Sequence, residues 1–198
     1  GSGLVISSEV EWLTGGLEPS ETGNIYQQIE AAGVPAMLLD EYADRLEYHE
    51  PWHLDRDVSH LFRGNLDIAE ADALLEERGF GHLKLVDNGR LHRKSEALKF
   101  ETLQAYHLIP RAASKAGAVA RHMQIRGYAP EEVIACGDSR EDMEVASVVG
   151  EFFLMRNALD RDASLGEAVG RFNNVTVTEA GHGSGVYEAV VGTLARRS

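Results

Sequence analysis

Apolar residues change their period several times along the first half of the chain. Alternation over residues 10–13, 45–48 and 58–62 predicts short strands with one face turned inward. Residues 24–32 repeat apolar side chains at helical spacing and stop at Gly33, which suits a C-terminal cap. Asp67 offers an N-cap for a helix reaching Glu77, and Gly79 ends it. Residues 82–86 and 91–93 flank Asp87-Asn88-Gly89, and Asn-Gly between two such stretches predicts a β-hairpin. Strands and helices in this mixed order predict an α+β module built on an antiparallel sheet.

The second half alternates more regularly. Strands are expected at 105–109, 133–136, 152–155 and 175–178, and helices at 114–126, 140–148, 158–169 and 185–196. The stretch 133–136 is wholly apolar, as in a strand covered on both faces. This spacing suits right-handed crossovers on a parallel sheet. The expected fold class is therefore α/β, with an α+β domain over 4–98 and a parallel-sheet domain over 99–198.

Composition narrows the partners. Among 198 residues, 43% are hydrophobic and 26% charged, enough apolar surface for a folded soluble domain. No apolar run approaches the roughly 20 residues that cross a bilayer, and no signal peptide opens the sequence. Thirty-two acidic against nineteen basic residues leave a net charge of −13. Such a surface repels phosphate backbones and anionic lipids, so neither nucleic acid nor membrane is expected as a partner. The single cysteine, Cys136, cannot close an internal disulfide, which suits a reducing cytoplasm. It reads as a core thiol.

The string Val133-Ile134-Ala135-Cys136-Gly137-Asp138-Ser139-Arg140-Glu141-Asp142 carries the chemistry. An apolar strand runs out into Gly-Asp, and a second aspartate follows in the next helix. Ligands of open α/β sheets bind outside the carboxyl ends of the strands, where Asp138 would project. Carboxylates beside a hydroxyl suit a hard cation such as Mg²⁺. Asp138 as a helix N-cap and Asp142 as a solvated first-turn acid is the bland alternative, and the spacing alone leaves both open. Lys115 opens a helix, against the helix dipole, which is sensible if an anion sits between its ammonium and the backbone N–H groups. A surface lysine beside a Ser114 cap is the alternative there. Taken together at strand ends, Lys115, Asp138 and Asp142 read as a phosphate-plus-metal site.

Ser114-Lys115-Ala116-Gly117-Ala118-Val119 followed by Gly137-Asp138-Ser139-Arg140-Glu141-Asp142 resembles the third and fourth motifs of the haloacid dehalogenase superfamily. The similarity is closest to its sugar-phosphate phosphatases with a large α+β cap. Asn157-Ala158 and Gly185-Val186-Tyr187-Glu188-Ala189 resemble later segments of the same family. The resemblance implies a Rossmann-like core in the second domain and a cap in the first. It implies a Mg²⁺-dependent phosphatase acting on a small phosphorylated substrate, a sugar or sugar acid. Asp138 would then be a metal ligand and Asp142 its support. Lys115 would be the catalytic cation on the phosphoryl oxygens, with Ser139 and Asn157 as further phosphate contacts.

The family's nucleophile motif, Asp-x-Asp-Gly-Thr after an apolar strand, does not occur. Ala36-Met37-Leu38-Leu39-Asp40-Glu41-Tyr42 is an imperfect substitute that fits a helix better. The expectation is a chain that begins at the cap and lacks the nucleophile, with the missing amino-terminal core segment as a partner. A fragment, one half of a two-piece enzyme and a degenerate, non-catalytic binder of a phospho-ligand all remain open. His49, His53, Asp55, Asp57 and His60 match no tight metal spacing and read as a cap loop, and Gly181-His182-Gly183-Ser184-Gly185 as a turn and N-cap.

Overall fold

A computed structural model of the chain describes residues 3–6, 9–91 and 95–197. It divides into two compact units, the first ending at Ala113 and the second beginning at Ser114.

In the first unit, β1 (Gly3–Ile6) and β2 (Glu9–Trp12) form an antiparallel ribbon. Helices α1 (Ile25–Ala31), α2 (Val34–Glu41) and α3 (Ile68–Glu77) lie against a four-stranded antiparallel sheet. Its strands are β3 (Leu46–Tyr48), β4 (His60–Gly64), β5 (Leu83–Leu91) and β6 (Leu103–Pro110), in the order β3-β4-β6-β5. Leu46, Phe62, Leu85, Tyr106 and Leu108 share one sheet face through the pairings Phe62–Tyr106 and Leu85–Leu108. Ile25, Leu38 and Leu75 press onto that face from the three helices, burying the largest apolar side chains. Caps set the helix starts. Asn24 and Gln27 form a reciprocal capping box on α1, and the Asp67 carboxylate accepts from the N–H groups of Ala69 and Glu70 on α3.

Two expectations are corrected here. Asp87-Asn88-Gly89 does not turn a hairpin between 82–86 and 91–93; it lies inside the single strand β5, and residues 92 and 93 fall outside the described residues. Pairing slips between Asp87 and Arg90, opposite Tyr106 and Gln104, so one extra residue makes a bulge. Gly89 takes φ +96°, and its N–H donates to the Asp87 carboxylate at 2.7 Å, the backbone freedom that Asn-Gly offers to turns and bulges alike. The second correction concerns the boundary at 98/99. The strand expected at 105–109 is the inner strand β6 of the antiparallel sheet, held between β4 and β5. Alternation of buried and half-buried residues along β6 suits a sheet with one packed face, and the division of the chain falls after it.

In the second unit, α4 (Lys115–Arg126) precedes β7 (Ile134–Gly137). Then follow α5 (Arg140–Met143), a 3₁₀ turn over Glu144–Ser147, β8 (Glu151–Leu154), α6 (Arg156–Arg161), α7 (Leu165–Val169), β9 (Val175–Val177) and α8 (His182–Arg197). The strands form a parallel sheet in the order β7-β8-β9. Phe152 and Leu154 pack with Met123 of α4 on one face, while Phe153 packs with Ala189 of α8 on the other. The helix expected over 158–169 is two. Asp162 ends α6 in extended backbone, and its carboxylate accepts from the Ser164 N–H and hydroxyl at 3.0 and 2.7 Å. Such local side-chain bonds compete with helix continuation. Among the described residues no helix is long and apolar enough to cross a membrane.

Candidate active site

The site of the second unit forms where β7 ends. A Cβ on Gly137 would overlap the side chain of Asp142, so only glycine lets the chain leave the strand and fold α5 back over it. Asp138 follows at once. Ser139 then caps α5, its Oγ accepting from the Asp142 N–H at 3.1 Å. Asp142 returns the contact, its Oδ2 accepting from the Asp138 N–H at 3.1 Å. These two bonds close the Asp138–Asp142 segment on itself and aim the other oxygen of Asp142 outward.

Lys115 meets that oxygen. Its Nζ lies 2.6 Å from Asp142 Oδ1 and 3.3 Å from Glu141 Oε2. Lys115 is held in place by the start of α4, where Ser114 Oγ accepts from the Gly117 N–H at 2.9 Å. Burial opposes charge on the Lys115 ammonium, but the hydrogen bond and charge of Asp142, then those of Glu141, outweigh it and hold the group above its ordinary range. Burial likewise disfavours charge on Asp142, yet the hydrogen bonds from Lys115, Ser139 and the Asp138 backbone, with the Lys115 charge, leave its carboxyl below the usual range. Lysine and aspartate are therefore a charged pair across the neutral range.

Asn157 approaches from the first turn of α6. Its Nδ2 donates to Asp138 Oδ2 at 3.1 Å, and its Oδ1 accepts from the His182 N–H at 2.7 Å. One amide thus ties the Asp138 carboxylate to the turn that opens α8, where His182 adopts φ +52°. Gly181 gives that turn room, since a Cβ there would stand 3.1 Å from Asn157. Arg161, on the same helix, donates from Nη2 to the Asp138 carbonyl at 2.6 Å and places Nη1 3.6 Å from Oδ2.

The expected residues therefore gather in two linked pairs, Lys115 with Asp142 and Asp138 with Asn157. Lys115 reaches the site from the start of α4 alone. The strand before it in sequence, β6, belongs to the antiparallel sheet, so the neighbouring-strand placement is corrected. Ser139 directs its oxygen to a cap, and Asn157 directs its amide to a carboxylate. Glu141 and Arg161 were missed. Arg161 had a signal, standing four residues after Asn157 on one helical face, whereas Glu141 is singled out only by where Lys115 lands.

Other constellations disperse. The His49 ring lies tilted beside Trp52, while His53 stacks on Tyr48 and the buried His60 on Tyr26. Asp40 is an exposed residue of α2. Cys136 sits half-buried on β7, its thiol pushed up by burial, as an unreactive core thiol would be. Among the described residues, no three His, Cys, Asp or Glu side chains converge to hold a metal ion.

Residues 89–176 match the family of haloacid dehalogenase-like hydrolases. A phosphoglycolate phosphatase of Methanoculleus marisnigri is 29% identical over 157 residues, 78% of this chain and 56% of that protein. The chain thus spans little more than half the length of this relative. Among solved structures, the sucrose-phosphatase of Synechocystis, in complex with sucrose and phosphate, superposes with a TM-score of 0.61 at 15% identity, covering 96% of this chain and 70% of that one. A protein from Eubacterium rectale described as a putative phosphate superposes with a TM-score of 0.53 at 12% identity, covering 98% and 74%. At these identities the structural matches speak for the fold.

Proposed function

We propose that this chain, in which residues 89–176 match the haloacid dehalogenase-like hydrolases, is a hydrolase of that family, and that its second unit provides the phosphate- and Mg²⁺-binding part of a phosphomonoester hydrolase acting on a phosphorylated sugar or sugar acid. One observation carries this reading: a charged Lys115–Asp142 pair, 2.6 Å long, stands beside Asp138 at the carboxyl end of a parallel strand. Ligands of open parallel sheets bind there.

The donor chemistry fits Mg²⁺, which takes oxygen ligands from one or two carboxylates and keeps much of its water. Asp138, 45% exposed, is the carboxylate that can touch the ion, oriented by Asn157 and Arg161. Asp142 has one oxygen on Lys115 and the other on a backbone N–H, which suits support through water. Bound there, the cation would draw electrons from a phosphoryl oxygen and offset developing charge. Lys115, 48% exposed, can turn one N–H toward a phosphoryl oxygen without leaving Asp142, since an ammonium has three donors. Glu141 and Asp142 hold its proton in place, so it acts as a fixed positive charge and not as an acid. A sugar draws support from the sucrose and phosphate held by one structural neighbour, and a small phosphorylated acid from the phosphoglycolate named for the sequence relative.

The test is Mg²⁺-dependent phosphate release from a panel of sugar phosphates and phosphoglycolate, run beside Mn²⁺ binding followed by its paramagnetic signal. Expected are Mn²⁺ binding by the wild-type chain and at least a tenfold loss of affinity in Asp138→Asn. Binding without release would favour a non-catalytic phospho-ligand binder. Unchanged affinity in the variant would remove Asp138 from the site.

A further inference from the structure

Two cations attach to the backbone of Asp138, one at each end of the residue. Lys115 does so through Asp142, whose Oδ1 lies 2.6 Å from the ammonium and whose Oδ2 accepts from the Asp138 N–H at 3.1 Å. Arg161 does so directly, its Nη2 donating to the Asp138 carbonyl at 2.6 Å. The Asp138 carboxylate has one oxygen engaged. Its Oδ2 accepts from Asn157 Nδ2 at 3.1 Å and lies 3.6 Å from Arg161 Nη1, so among the described residues Oδ1 is the oxygen left open to a cation.

Bracing this turn does not use Arg161 up. A guanidinium carries five N–H donors in one rigid plane. One of them is spent on the Asp138 carbonyl, and the 3.6 Å contact with the carboxylate is an ion pair beyond hydrogen-bond length. Among the described residues its Nε and Nη1 have no hydrogen-bond acceptor, and the side chain is 62% exposed. Asp162, next along the chain, does not claim them, because its carboxylate is turned to the Ser164 N–H and hydroxyl. Arg161 is thus a planar fork held at one prong by a backbone carbonyl, with the rest of its edge free.

We infer that Arg161 is a specificity-determining residue that takes a carboxylate of the substrate, so that the site selects a phosphorylated hydroxy acid over a neutral phosphorylated sugar. On the reading that Lys115 serves the phosphoryl group and Asp138 the cation, Arg161 adds a second anion seat to the same site. The fork matches the two oxygens of a carboxylate, and its anchored plane lowers the cost of ordering it on binding. A second phosphate suits the seat less. Asp138, Glu141 and Asp142 already outnumber Lys115 and Arg161 by one charge, and a phosphate brings about 1.5–2 more where a carboxylate brings one. Both cations attach to a single residue, so the ligand's two anionic groups must be close. A hydroxy acid phosphorylated on the carbon next to its carboxylate, or one further along, meets that condition.

The test measures binding to the 198-residue chain in Mg²⁺ by calorimetry, with phosphoglycolate and 2-hydroxyethyl phosphate as the probes. The two are alike in length and differ in a carboxylate against a hydroxymethyl group. Wild type is expected to bind phosphoglycolate roughly tenfold tighter, the scale of a charge-assisted hydrogen bond. Arg161→Met should keep the wild-type circular dichroism and bring the ratio of the two affinities to about twofold or less. The ratio is the readout because Arg161 also orients Asp138, and loss of that support weakens both probes alike. Arg161→Lys keeps the charge without the fork and should give a ratio between the two. Arg140→Met, which removes a neighbouring guanidinium bonded to Ser164 at 3.1 Å, should leave the wild-type ratio in place. A ratio that stays high in Arg161→Met would assign the carboxylate to the metal ion and overturn the proposal. So would a wild-type ratio near one, or an equal loss in Arg140→Met. Failure of both probes to bind the wild-type chain would remove the phosphate reading itself, and this inference with it.

Discussion

Gly137 and Asp142 occupy one another's space: a methyl group on the glycine would overlap the aspartate side chain whose oxygens hold the Asp138 N–H and the Lys115 ammonium. The sharpness of the turn after β7 and the existence of the ion pair are therefore a single structural fact.

Gly137→Ala is expected to push α5 away from the strand end and open the 2.6 Å Lys115–Asp142 contact. The cost should be about 1–3 kcal/mol, the usual range for an inserted methyl group in a packed place. Urea unfolding followed by circular dichroism gives the stability, and Mn²⁺ binding should weaken in parallel. Unchanged stability and metal affinity together would show that the turn has slack.

The ion pair has a pH signature. Asp142 has its carboxyl lowered in the folded chain, so its contribution is present above the unfolded value and fades as pH falls through the folded one. Lys115 is raised, so its contribution is present below its unfolded value and fades as pH rises through the folded one. The stability difference between wild type and Asp142→Asn should be flat from about pH 6 to 9 and shrink below about pH 4, given ordinary Asp and Lys values near 3.9 and 10.4. With Lys115 half-exposed, the difference should be about 1 kcal/mol or less and smaller in salt. A difference that grows toward acid would contradict the assignment.

Acid should also weaken the first unit, through His60. Its side chain is fully buried, stacked 3.9 Å from Tyr26, with Nε2 3.0 Å from the Tyr26 carbonyl and Nδ1 3.4 Å from the Glu30 carboxylate. Burial lowers its basicity, more than the Tyr26 carbonyl and Glu30 raise it. The unfolded chain therefore takes up the proton first, and stability falls as pH drops below about 6.5, the ordinary histidine value. Thermal melts between pH 5 and 8 should show that slope in wild type and lose most of it in His60→Gln.

Asn157→Ala removes the donor to Asp138 and the acceptor for the His182 N–H together. A loss of about 1–3 kcal/mol is expected, the cost of leaving partners unsatisfied. Mn²⁺ affinity should fall as well, because Asp138 is left with Arg161 to orient it. Differential scanning calorimetry and the paramagnetic titration read the two effects separately. Intact metal affinity would show that Asn157 holds the fold and not the carboxylate.

Local sequence determined a great deal of this protein. Helical spacing over 114–126 marks α4, the apolar run into Gly137-Asp138 marks β7, and Asp67 marks the start of α3, because caps and apolar periods act within a few residues of themselves. The same locality placed Lys115, Asp138 and Asp142 on a short list, to which the family resemblance added Ser139 and Asn157. Only the tertiary structure decided how they combine: that Lys115 ends on Asp142 with Glu141 beside it, and that Asn157 joins Asp138 to the turn before α8. Only tertiary pairing, too, moved β6 into the antiparallel sheet and made Asn88-Gly89 a bulge within a strand. A strand's period says which face is buried but not against which neighbour, and Asn-Gly supplies a backbone conformation that a turn and a bulge use equally. Partner choice is settled by contacts distant in sequence, which no local pattern contains.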